Sequence, residues 1–323
     1  MSSRYLEISC FLREKRDFYA YLGWRVVGVH GDRQHNIPEE MDNSMGQMIR
    51  GLFKLSRPVS TLTGVLAVAL GGYVAGTGEW GMVALAALAT LFVSASSNAW
   101  NDYRDIEIDR INQPQRPLPS GMVSPRAALV FSIVMAALSI VVAALISPAA
   151  LAIAILSNAL LYIYSVWLKS TVLLGNVTVA LISAMSPIFG GVAAGNHRPS
   201  LWLGAIIFVG ILGREILKTL ADYDGDLAHN VRTISTAWGP RPARIFFFVI
   251  LGVTAIVMLA PYLLDYYRPI YAYIVALGVF PVAYYVMVRV HHERTGPQLE
   301  RLSQLLKYDF LIWFAAVLLG AAV

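Results

Sequence analysis

Residues 127–168 read AALVFSIVMAALSIVVAALISPAALAIAILSNALLYIYSVWL, 42 residues with no Lys, Arg, Asp or Glu. A helix crosses the hydrocarbon core of a bilayer in about 20 apolar residues, so this stretch is two crossings long. Proline cannot continue the hydrogen bonding of a helix, and Ser147-Pro148 falls where the stretch must divide. The reading is a helical hairpin inside a membrane.

Working outward, the same search for charge-free runs finds Pro58 to Gly78, Trp80 to Asn101, Ile245 to Leu264 and Pro269 to Val288 as single crossings. Ser170 to His197 is a fifth. Pro199 to about Ala221 is a sixth, whose last turns carry Arg214, Glu215 and Lys218, and Leu302 to Val323 is the ninth and last, with Lys307 and Asp309 near its start. The expected fold is all-α: an integral membrane protein of nine transmembrane helices in a single bundle. Nine crossings alternate sides. Of the 25 Lys and Arg residues, 23 fall before the first helix or in the even-to-odd connections, and only Arg198 and Arg268 fall on the other face. Basic residues collect on the cytoplasmic side, which puts the N-terminus and the even-to-odd loops in the cytoplasm, the C-terminus outside, and the protein in the cell membrane.

Composition closes off other classes. The chain has 323 residues, 57% hydrophobic and 14% charged, with a mean hydropathy of +0.60; a soluble domain carries roughly a quarter charged residues. The lone Cys10 excludes a disulfide framework and any cysteine-built zinc or iron–sulfur site. The net charge of +5 is explained by topology, without an aromatic-interleaved basic patch, so no nucleic-acid partner is expected. Residues 1–44 form an extension of unread function without the pattern of a signal peptide. The segment MGQMIRGLFKLSR (45–57) mixes apolar side chains with Arg50, Lys54 and Arg57. That suits either an interfacial helix on the anionic leaflet or a plain helix leader. The membrane domain is taken as 45–323.

Acids at membrane depth are expensive unless they face a cavity and have partners, so two clusters at helix ends carry the functional information. The first is NAWNDYRDIEID (98–109). Continued as one helix, it places Asn98, Asn101, Asp102, Asp105 and Asp109 on one face. A row of carboxylates repels itself unless a cation sits among them, and oxygen ligands favour a hard ion such as Mg2+. The second is REILKTLADYDGD (214–226), on the same side, where Arg214, Lys218, Asp222 and Asp226 share a helical stripe. It sets cations suited to phosphate beside carboxylates suited to Mg2+.

These residues resemble the UbiA-type intramembrane prenyltransferases. NDxxDxxxD at 101–109 is similar to the first aspartate motif of that family and DxxxD at 222–226 to its second. The likeness extends to RINQPQRPLPSG (110–121), to YSVWLK (164–169) followed by Gly175-Asn176, and to LSRP (55–58). It covers about residues 50 to 323 and implies nine helices with cytoplasmic active-site loops. It implies a transferase that binds an allylic polyprenyl diphosphate with Mg2+ and passes the prenyl chain to a lipid or aromatic acceptor. By resemblance Asp102, Asp105, Asp109, Asp222 and Asp226 are metal ligands. Asn98, Asn101, Arg57, Arg116, Lys169, Asn176, Arg214, Lys218 and Arg232 then bind substrate, with Asp102, Asp105, Lys169 and Tyr164 at the chemistry. Tyr103, Tyr162 and Trp100 are candidates to face an allyl cation, against a reading as belt packing. Membrane lipids are the expected surroundings, and no obligatory protein partner is implied.

Within the family the second motif, with Gly225-Asp226 and the following Arg232-Thr233, is similar to the branch that alkylates geranylgeranylglyceryl phosphate in ether-lipid synthesis. It departs where Thr219 and Ala221 stand in place of acids. Chlorophyll-type acceptors and aromatic ones (4-hydroxybenzoate, homogentisate, a naphthoate) remain alternatives. A cation-coupled transporter is a distant one, because its acids belong near the midplane.

Overall fold

The hairpin is present in a computed structural model, which describes residues 37–228, 230–292 and 296–321. Helix α5 (Pro125–Ala144) ends three residues before α6 (Pro148–Ile163) begins. Each starts with proline after a serine cap: the backbone N–H of Ala127 donates to Ser124 Oγ (3.2 Å) and that of Ala150 to Ser147 Oγ (3.1 Å). Serine satisfies an orphan N–H and proline has none to satisfy.

Before the hairpin lie α1 (Ile37–Leu55), α2 (Pro58–Val74), α3 (Trp80–Arg104) and the short α4 (Ile106–Asn112). After it come α7 (Leu174–Ala193), α8 (Arg198–Ala221), α9 (Tyr223–Ala228), α10 (Ile234–Trp238), α11 (Pro240–Leu263), α12 (Pro269–Ile274), α13 (Phe280–His292) and α14 (Gly296–Gly320). A π-turn at Tyr164–Leu168 prolongs α6, and another at Val275–Val279 joins α12 to α13. Among the described residues 8 helices are long and apolar enough to cross a membrane. The expected first crossing, α2, has 17 residues and falls short of that length. The N-terminal extension up to residue 36, His229, residues 293–295 and the last two residues lie outside the described residues.

Hydrophobic burial does not drive helices together in lipid, so close packing of small residues has to. The α2–α7 contact shows it: a Cβ on Gly71 would strike the backbone of Pro187, and one on Gly190 would strike the carbonyl of Val68. Elsewhere, buried polar groups act as ties. Trp313 Nε1 donates to the Tyr271 hydroxyl (3.1 Å), which donates to the Met258 carbonyl (2.8 Å), joining α14, α12 and α11.

The unit Gly46–Val323 carries both acidic clusters. On α1, Gly51 and Leu55 are buried against the segment around Leu118 and Val123, whereas Ile49 and Phe53 stay exposed, at 59% and 65%. One face of this helix is therefore apolar and unburied, as an interfacial helix requires.

The expected continuous helices through the acidic clusters are not continuous. Helix α3 stops at Arg104, and Asp105 (φ −93°, ψ 7°) separates it from α4. Helix α8 stops at Ala221, and Asp222 (φ −88°, ψ 3°) separates it from α9. Both hinges sit in the bridge region. Each still accepts an N–H from four residues on, Asp109 to Asp105 (2.8 Å) and Asp226 to Asp222 (2.9 Å). The chain bends without losing the turn.

Candidate active site

The first aspartate cluster is held by cations from three other segments. Asp102, in the last turn of α3, is 2% exposed. The Arg57 guanidinium pairs with its Oδ1. Arg57 itself has left-handed backbone (φ 49°, ψ 61°) directly before Pro58, a conformation costly for a residue with a Cβ. Asn98 Nδ2 donates to the Ser56 carbonyl (3.1 Å) and pins the same segment to α3.

Arg116 enters from the RINQPQRPLPSG loop. Its Nη1 lies 2.6 Å from Asp109 Oδ2 and 3.7 Å from Asp102 Oδ1, one guanidinium nitrogen between two buried carboxylates. Lys169 arrives from the α6–α7 connection, with Nζ 2.5 Å from Asp105 Oδ2. The loop is turned under by Gly121 (φ +76°), where a side chain would be strained.

The second cluster is organised around Glu215, which is 9% exposed. It accepts from Arg214 Nη1 (3.2 Å) and lies 3.6 Å from Lys218 Nζ. Removal from solvent raises the Asp222 carboxyl above its ordinary value, although the residue as a whole is exposed at its helix end; Lys218 opposes the shift, and Glu300 and Glu215 add to it. The π-turn of α6 starts at Tyr164 and leads directly into Lys169. π-turns recur at functional sites.

Beneath the motifs lies a cavity of about 390 Å3, lined by α2, α3, α6, α7, α8 and α14. That is within the range of ligand pockets. Its walls are apolar but carry hydroxyls such as Ser60, Ser94, Ser97 and Ser183, and two cations, Arg214 and Lys307. Both acidic clusters sit where α3 and α8 leave this cavity, at the same end of the bundle.

Six of the residues singled out from sequence are thus joined to one another in ion pairs, Arg57, Arg116, Lys169, Asp102, Asp105 and Asp109, and Arg214 and Lys218 pair with Glu215. Asn101 is half-buried in the last turn of α3, Asn176 is half-buried in the first turn of α7, and Arg232 is exposed before α10. Asp226 lies on α9. The aromatic trio is a packed seam. Trp100 stacks on Tyr162 (4.8 Å between centroids) and on Tyr103 (5.8 Å), and the Tyr162 hydroxyl bonds Ser132 (2.6 Å) and Ser96 (3.0 Å). These rings knit α3, α5 and α6 together.

Sequence reading missed Glu215 as the anion between two cations, Glu300 beside Asp222, and Asp309. The last is 6% exposed, and its Oδ1 has no hydrogen-bond partner among the described residues. It lines a second, small cavity that Arg214 also borders. An acid seven residues, or two helical turns, before Asp222 is a usable signal for Glu215; the other two come from α14, distant in sequence.

Among the described residues no three acid, His or Cys side chains converge as a ready metal cage. The donor set nevertheless suits a hard cation: oxygen-only, buried at Asp102 and Asp109, and already bridged by the positive charge of Arg116.

Known proteins resemble this chain in sequence and fold. Digeranylgeranylglyceryl phosphate synthase of Methanopyrus kandleri is 38% identical over 215 residues, 67% of this chain and 79% of that relative. The protein of that name from Halobacterium salinarum is 34% identical over 276 residues, 85% of this chain and 98% of the relative. A solved structure described as giving structural and mechanistic insights into digeranylgeranylglyceryl phosphate synthase in membranes matches with a TM-score of 0.74 at 28% identity, covering 84% of this chain and 98% of that one. A UbiA homologue from Archaeoglobus fulgidus, bound to GPP and Mg2+, shares the fold at a TM-score of 0.63 and 20% identity, over 83% of this chain and 99% of that one. The model of the UbiA prenyltransferase family matches residues 59–322, the span that carries the hairpin, both aspartate hinges and the cavity between them, and the chain belongs to that family.

Proposed function

We propose that this prenyltransferase moves a geranylgeranyl group from its allylic diphosphate to the free hydroxyl of geranylgeranylglyceryl phosphate, with Mg2+ at the aspartate motifs. The observation that carries the reading is the set of cation–carboxylate pairs, Arg57–Asp102, Arg116–Asp109 and Lys169–Asp105, at the mouth of a cavity lined by apolar and hydroxyl side chains. A diphosphate and its metal together are the charge complement of those pairs. The acids turn to the metal and the cations turn to phosphate oxygens, so neither set is left unpaired. The relatives that bear the name digeranylgeranylglyceryl phosphate synthase support the acceptor.

Asp102, Asp105, Asp109, Asp222 and Asp226 would hold Mg2+, directly or through water. Bound there, Mg2+ supplies positive charge against the leaving diphosphate. Arg57, Arg116, Lys169 and Lys218 are aimed at the same charge as preorganised donors; Arg214 is a further substrate-binding cation, deeper on the cavity wall, and Asn98, Asn101, Asn176 and Arg232 frame the mouth. The allylic C–O bond breaks with its electron pair leaving on diphosphate. The acceptor oxygen forms the new C–O bond to that carbon, and its proton passes to the diphosphate or to a motif carboxylate. The cavity keeps the prenyl chain and the reacting carbon away from water.

The chain crosses the cell membrane nine times in this reading, α2 making the short first crossing, with N-terminus and active site cytoplasmic and C-terminus outside. Residues 45–323 are the transferase domain and 1–44 an extension to it. The test is turnover by purified protein supplied with geranylgeranyl diphosphate and Mg2+. Geranylgeranylglyceryl phosphate, 4-hydroxybenzoate and a chlorophyllide are offered in parallel, with an EDTA control. Metal-dependent product on the glyceryl phosphate alone is expected; product on another acceptor only would overturn the acceptor assignment.

A further inference from the structure

Lys307 is the cavity-lining cation that the mechanism above leaves unused. It sits on α14, on the stripe Lys307, Phe310, Leu311 and Phe314 that faces the main cavity. It is half-buried in a helix long and apolar enough to cross the membrane, and no carboxylate lies within ion-pair distance of it among the described residues. Asp309, two residues on, lies on the other side of the helix and borders the small cavity instead. An ammonium kept in a membrane helix without a counter-ion is costly, and a ligand anion removes the cost.

The level of Lys307 follows from packing. A Cβ on Gly210 of α8 would meet the Phe310 ring of α14 at 2.6 Å. The two helices run antiparallel here, so Arg214 and Lys307, each about one turn from that contact, stand at the same depth on adjoining walls of one cavity. Arg214 has a buried Nε with no hydrogen-bond partner. Lys218 lies one turn nearer the mouth, where the diphosphate-binding cations collect.

We propose that Lys307, together with Arg214, forms a second anion subsite that holds the phosphate of the acceptor lipid and selects acceptors that carry one. The inference rests on the glyceryl phosphate reading above and names the residue that reads the phosphate. A phosphomonoester carries nearly two negative charges and strong acceptor oxygens, a match for one guanidinium and one ammonium. Its free hydroxyl is no farther away than the three carbons of glycerol, which suits the single turn between this subsite and Lys218. The acceptor hydroxyl then reaches the allylic carbon while its phosphate stays one turn deeper.

The experiment compares wild type, Lys307→Met and Lys307→Arg with two acceptors, geranylgeranylglyceryl phosphate and the same lipid without phosphate, at saturating Mg2+. Expected for Lys307→Met is a rise of tenfold or more in KM for the phosphate acceptor. KM for geranylgeranyl diphosphate should stay within twofold, rates on the phosphate-free lipid should be unchanged, and Lys307→Arg should recover most of the loss. Retention of the full preference for phosphate by Lys307→Met would overturn the subsite, as would an equal rise in diphosphate KM, which assigns Lys307 to the donor. Should Lys307→Met fail to accumulate, Lys307→Gln and direct acceptor binding to Lys307→Arg carry the same comparison. If wild type prenylates only an aromatic acceptor, the glyceryl phosphate reading itself has failed, and the subsite with it; if wild type uses the glyceryl phosphate and the variant does not discriminate, only the subsite has.

Discussion

Lys169→Met separates a structural role from a binding role. Lys169 lies in the connection after the π-turn, with Nζ 2.5 Å from Asp105 Oδ2; the two side chains are 48% and 23% exposed. A pair this open to water contributes at most about 1 kcal/mol to folding, so the variant should insert and unfold almost as wild type does. The same ammonium, turned to a phosphate oxygen, makes a charge-assisted bond of about 1.5–3 kcal/mol. At about 1.4 kcal/mol per factor of ten, kcat/KM for the diphosphate should fall by about 10- to 150-fold. Steady-state kinetics with the diphosphate varied at saturating acceptor reads the loss, and thermal unfolding of the same preparation reads the stability. Lys169→Arg should restore part of the activity, because the charge and a donor are kept although the geometry differs. If Lys169→Met loses stability but keeps kcat/KM within threefold, Lys169 is a clamp on the Asp105 hinge, and the partner-exchange argument fails at this pair.

Asp105→Ala and Asp226→Ala should each abolish turnover while the protein still inserts, checked by product formation and by solubilised yield; near-normal activity in both would sink the two-motif assignment. Gly190→Leu should cost about 1–3 kcal/mol or more through overpacking, since even a Cβ there strikes the Val68 carbonyl, with melting temperature as the measure. Asp222 titrates above its ordinary value when metal-free. Its ionisation therefore costs the metal-free protein stability that is regained as the pH falls through the raised value. Mg2+ needs the ionised form, so Mg2+ affinity, followed by titration at several pH values, should decline on acidification from a pH above the usual aspartate range. Ser132→Ala should cost about 1 kcal/mol by removing its bonds to Tyr162 and Ser96, with kinetics unchanged because that network packs the α3–α5–α6 seam.

The crossings were legible because hydrocarbon thickness turns a charge-free length directly into a helix, and Ser147-Pro148 carries its own local chemistry of cap and first turn. The acidic motifs were legible because like charges on one stripe demand an explanation. The breaks at Asp105 and Asp222 were not, since neither neighbourhood presents proline, and Asp or Asn in the bridge region looks the same in sequence as in a helix. Nor was the pairing of each acid with a cation from another segment, Arg57, Arg116 or Lys169, because such pairing is decided by packing. The same limit hid the division of labour on α14, where Lys307 and Asp309 are two residues apart and face different cavities.

The two hinges share one construction. In each, a long apolar helix ends at an aspartate in the bridge region and a short acidic helix follows, with the i+4 N–H still bonded to the hinge carbonyl. A straight continuation would carry Asp109 and Asp226 on along the axes of α3 and α8, away from the cavity mouth. At the first hinge the bend has a visible consequence: Asp109 comes close enough to Asp102 for one Arg116 nitrogen to serve both. A hinge at the aspartate itself would let the carboxylates re-aim without disturbing the packed helix behind them. That is what a site needs if its acids hold arginine and lysine in one state and a metal with a diphosphate in the next.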